Sequence, residues 1–74
     1  MFNAKLIGEN AGVVWRELHR QVNAQSFEHL KKATGLDVMQ LSAALGWLAR
    51  ENKISIYENG DEVLFSLSPM NYYI

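Results

Sequence analysis

Apolar residues Ile7, Ala11, Val14, Leu18 and Val22 recur at steps of four, three, four and four. That is the period of one helix face, and it predicts a helix over about residues 7–22 with Trp15 bordering the buried stripe. Gly8, Asn10 and Gly12 are poor helix formers, so either the helix starts late or two glycines four apart let another backbone come close. Phe2, Leu6 and Val13 fall on a different side of this helix, where water is a poor destination for them. Beyond the short connection Asn23-Ala24-Gln25, Ser26 is suited to cap a helix over 27–34 that buries Phe27 and Leu30, and Gly35 to end it in the left-handed region. Asp37 can cap the next helix, about 38–51, with Gln40 three residues on closing a capping box and Leu36 stapled onto Leu41. Val38, Leu41, Leu45 and Leu48 form its apolar stripe. The opposite face carries Met39, Ala43, Gly46, Trp47 and Arg50, with Gln40 at its edge.

After Asn52 the period changes from helical to alternating. Ile54 and Ile56, then Val63, Phe65 and Leu67, flank Asn59-Gly60, the strongest short hairpin signal, and predict two antiparallel strands over about 53–58 and 61–67. With Asn59-Gly60 as a two-residue turn, Ile56 faces Val63 and Ile54 faces Phe65, although Glu58 then opposes Asp61. The last segment, 68–74, reads SPMNYYI and is too apolar for a simply solvated end. Trp47 either anchors a partner or folds under Tyr72, Tyr73 and Ile74.

Composition narrows the classes. Seventy-four residues make one domain, 1–74, and a chain this short buries only about 60% of its unfolded surface, so a dimer partner would relieve a thin core. Apolar residues are 49% of the chain and charged ones 20%, a globular rather than a disordered balance. The absence of cysteine removes disulfides and thiolate metal sites and suits a reducing cytoplasm. No apolar run has the length of a signal peptide or membrane span, so neither export nor membrane contact is expected. His19 and His29 lack a metal-ligand spacing, and 58–62 lacks the twelve-residue calcium pattern. Ser42, Ser55, Ser66 and Ser68 sit in no nucleophile elbow. No enzyme, metal or cofactor is predicted.

The order helix, helix-turn-helix, hairpin resembles a winged helix-turn-helix domain of the α+β class. The phrases IGENAGVVWREL, LKKATGL and LSAALGWLARENKI are similar to the small stand-alone bacterial winged-helix proteins grouped as a family of unknown function. This resemblance covers residues 7 to about 67. It implies three helices and a two-stranded wing, and by analogy with winged helices at large it implies DNA binding and a homodimer. It brings no catalytic or ligand-binding residues.

Double-stranded DNA would meet Gln40 and Arg50, the two side chains on the outer face of the third helix able to hydrogen-bond a base, with Lys31, Lys32 and Lys53 as phosphate candidates. Against it stand a net charge of −1, the lack of Lys or Arg from Ile54 to Ile74, and Glu58, Asp61 and Glu62 at the wing tip, which repel phosphate. A protein-interaction or dimerisation role would instead use Met39, Ala43, Gly46 and Trp47, with Phe2, Leu6 and Val13 as a second contact. Class analogy puts weak, dimer-dependent DNA binding in transcriptional regulation narrowly first; the side chains favour a protein partner.

Overall fold

The computed structural model describes residues 2–21 and 23–68. Helix α1 spans Ala4–Arg20 and starts three residues before the spacing predicts, because the Asn3 side chain caps it by accepting from Leu6 N at 2.9 Å. It ends at Arg20 rather than near 22, as Gln21 turns to extended backbone. Ala11, Val14 and Leu18 are buried as the stripe requires, and Val22 lies outside the described residues.

The connection that follows is not plain loop. Gln25–Ser26 form a short strand, β1, before α2 spans Phe27–Thr34 at its predicted bounds. Ser26 Oγ accepts from His29 N at 3.1 Å, and Gly35, at φ 78°, stops the helix in the left-handed region. Helix α3 spans Val38–Arg50 behind the expected capping box: Gln40 N donates to Asp37 Oδ1 at 2.8 Å and Asp37 N to Gln40 Oε1 at 3.0 Å. Its end, one residue short of the predicted 51, is a Schellman turn. Asn52, at φ 58°, takes the position that most often holds glycine, so its N–H donates to Ala49 O at 3.0 Å and Lys53 N to Leu48 O at 2.9 Å.

Strands β2 (Ile54–Asn59) and β3 (Glu62–Leu67) make the wing hairpin, and the sheet has three strands in the order β1-β3-β2 rather than two. The predicted register is corrected by two residues. Ile54 pairs with Leu67, Ile56 with Phe65, Glu58 with Val63 and Asn59 with Glu62, so the turn is Gly60-Asp61. Gly60 takes φ 66° at the first turn position, and the shift parts Glu58 from Asp61 while keeping the apolar residues on one face. Ile54 and Phe65 enter the core; Ile56 and Val63, nearer the tip, remain exposed.

One core joins Val14, Leu18, Leu30, Leu41, Ala44, Leu45 and Leu48 to Ile54 and Phe65. The predicted α3 stripe needs one exchange. Val38, in the first turn, is 57% exposed, whereas Ala44 is fully buried. The buried face of α3 therefore begins only at Leu41, and half-buried Leu36 packs against the same core.

Candidate functional site

The outer face of α3 presents a shallow apolar surface. Met39 is 66% and Trp47 44% exposed, Gly46 is open, Ala43 is half-buried, and Val38 adds to the patch from the first turn. Gln40 is half-buried, and its Oε1 is occupied by the Asp37 backbone in the cap. A base would have to compete with that bond. The Arg50 side chain is 86% exposed and lies 4.0 Å from Glu51, so it is held by little.

The basic candidates sit on two different elements. Lys32 is exposed and Lys31 half-buried in the last turn of α2, while Lys53 sits after the C-terminal turn of α3. Glu58, Asp61 and Glu62 are all exposed around the wing tip. Phe2 is exposed before α1, and Leu6 and Val13 are half-buried two turns apart on one side of it. The proposed cover of Trp47 by Tyr72, Tyr73 and Ile74 falls outside the described residues.

A groove of about 660 Å³ was not foreseen from the sequence. It runs between the first half of α1 and the end of α3. Gly8, Gly12 and Trp15 line one side, Trp47 and Leu48 the other, and Arg16, Glu51 and Lys53 contribute its charged groups. The signal available was the glycine pair four residues apart, which had suggested a close backbone approach. What lies over Gly8 is instead the Trp47 ring, 3.9 Å from where a Cβ would be. Trp15, partly buried against the core, stacks its ring on His19, with centroids 5.0 Å apart.

Two polar features inside the fold were also missed. Glu17 is buried, accepting from Arg20 at 2.8 Å and more weakly from Gln21 at 3.3 Å; the Arg20 hydrogen bond outweighs burial and lowers its carboxyl pKa. Asn10 is buried, and its Nδ2 has no hydrogen-bond partner among the described residues. Neither belongs to a reactive constellation. Among the described residues no three His, Cys, Asp or Glu side chains gather to hold a metal, and no helix is long and apolar enough to cross a membrane.

Three helices, a turn of helix-turn-helix type and a hairpin packed beside them define a winged helix-turn-helix protein. More particularly, the chain belongs to the family described as winged helix-turn-helix domain (DUF2582), whose model matches residues 1–67. It is also similar to protein BT2368 from Bacteroides thetaiotaomicron, solved by solution NMR. Identity is 30% over 97% of this chain and 87% of that one, with a TM-score of 0.85. No curated protein matches the chain.

Proposed function

We propose that this winged helix acts by binding a protein through the outer face of α3, the position that in DNA-binding relatives of the fold enters the major groove. One observation carries the reading: α3 turns Val38, Met39 and Trp47 outward while Gln40 is engaged in its own cap. Such a face loses little by leaving water for an apolar partner, whereas against base edges it offers few donors or acceptors. The acidic wing tip points the same way.

Duplex DNA is the second reading, supported by the fold class and by Lys31, Lys32 and Arg50 on the helix-turn-helix. The two separate cleanly. A photo-crosslinking residue in place of Met39 should yield adducts in cells that protease digests and nuclease leaves intact. Nuclease-sensitive adducts, or none, would overturn the proposal. So would binding of labelled duplex at about 50 mM salt that weakens roughly 40- to 150-fold by about 200 mM, the loss expected for three or four phosphate contacts.

A further inference from the structure

We propose that the groove between α1 and α3 receives the wing tip of a second copy of this chain, two copies inserting their β2–β3 hairpins into one another reciprocally. The groove floor supplies the first argument. Glycine inside a helix is unfavourable, yet among the described residues nothing requires it at either position. A Cβ at Gly8 would meet only the Trp47 ring at 3.9 Å, and one at Gly12 only the Arg16 side chain at 3.7 Å, both ordinary contacts. The missing side chains instead leave the floor open between Trp15 and Trp47.

Charge supplies the second argument. All seven basic residues precede Ile54, and Arg16 and Lys53 belong to the groove; Glu58, Asp61 and Glu62 crowd the wing tip together with exposed Ile56 and Val63. An acidic, apolar-faced ribbon thus meets a tryptophan-walled groove whose charged groups, Arg16 and Lys53 against Glu51, leave it net positive, both carried by the same sequence. A reciprocal pair uses each tip and each groove once, which closes the assembly as a twofold dimer and doubles the contact toward the roughly 1,200–2,000 Å² of a stable interface. The groove shares Trp47 with the α3 face proposed above, whereas Val38 and Met39 belong to that face and lie outside the groove.

Sedimentation through the micromolar to millimolar range tests this. The parent should dimerise, and its dissociation constant should rise about tenfold between 0.05 and 0.5 M salt as screening takes hold. Gly12→Leu should fill the groove and give a monomer that still melts cooperatively, as the parent does when diluted below its dissociation constant. Glu58→Lys/Asp61→Lys/Glu62→Lys should abolish the dimer, as should Arg16→Glu/Lys53→Glu, and combining all five should restore it with the net charge near zero. Met39→Lys should leave it unchanged, so the two proposals can fail independently. A monomeric parent, a dimer surviving Gly12→Leu, or no rescue in the five-fold variant would overturn the proposal. Dimerisation that begins only when residues 69–74 are removed would assign the groove to the chain's own terminus and overturn it too.

Discussion

Asn52→Ala should destabilise the domain by about 1 kcal/mol, while Asn52→Gly should leave it as stable as the parent or slightly more so. Asn52 holds φ 58° at the turn from α3 into β2. An ordinary L-residue pays about 1–2 kcal/mol in the left-handed region, and asparagine less because its short polar side chain can bond locally. Alanine has no such relief. If it left that region instead, the bonds from Asn52 N to Ala49 O and from Lys53 N to Leu48 O would break, at a net cost of about 0.5–1.5 kcal/mol each. Keeping the turn and bearing the strain is therefore the cheaper course, and it sets the expected loss. Glycine removes the strain but gives up about 0.4–1 kcal/mol to the greater freedom of its unfolded chain, so the two nearly cancel. In a domain of this size 1 kcal/mol moves Tm by about 4–8 °C. Thermal unfolding followed by far-UV circular dichroism would rank the three proteins. If Asn52→Ala melts with the parent, or Asn52→Gly melts below Asn52→Ala, the turn does not carry the strain assigned to it.

Glu17→Gln should narrow the parent's acid dependence. The Arg20 bond puts the folded carboxyl pKa below its ordinary 4.5, so its contribution is fully present above that value and is lost as pH falls through the lowered one. Urea midpoints of parent and variant should differ at neutral pH and converge in acid; a gap that widens in acid would reverse the assignment. Leu41→Ala removes a side chain with no exposure and should cost about 2–5 kcal/mol, enough to abolish a cooperative melt in so small a core. An unchanged melting curve would remove Leu41 from that core. Gly60→Ala, at φ 66°, should lose about 1–2 kcal/mol, and a loss no larger than that of an exposed strand position would show that the turn tolerates a Cβ.

The helices were legible because their signals are local. Ser26, Gly35, Asp37 and Gln40 each act within four residues, and each does what its chemistry suggests. The start of α1 was less legible, because Gly8, Asn10 and Gly12 argue for a later start while the Asn3 cap acts ahead of the apolar period. β1 was invisible for a different reason: two residues have no periodicity, and only their partner β3 makes them a strand. In the hairpin, alternation determined the face but not the register, since a shift of two preserves every inward side chain; the turn glycine and the acidic residues decided it. For the site, the exposed face of α3 followed from its wheel, apart from Val38, which begins the helix before the core reaches it. The groove needed the packing of α1 against α3, which no single segment contains.

β1 also has a kinetic meaning. Gln25 and Ser26 pair with Phe65 and Leu64, so closing the sheet joins opposite halves of the chain around α2, α3 and β2. The β2–β3 hairpin can form from its own turn, but its inner edge finds its second neighbour only after the helices have docked. Loss of the wing conversely frees the segment that leads into α2. Folding should therefore proceed as one cooperative unit, with amides of β3 exchanging together with those of the helical core rather than as a fraying appendage.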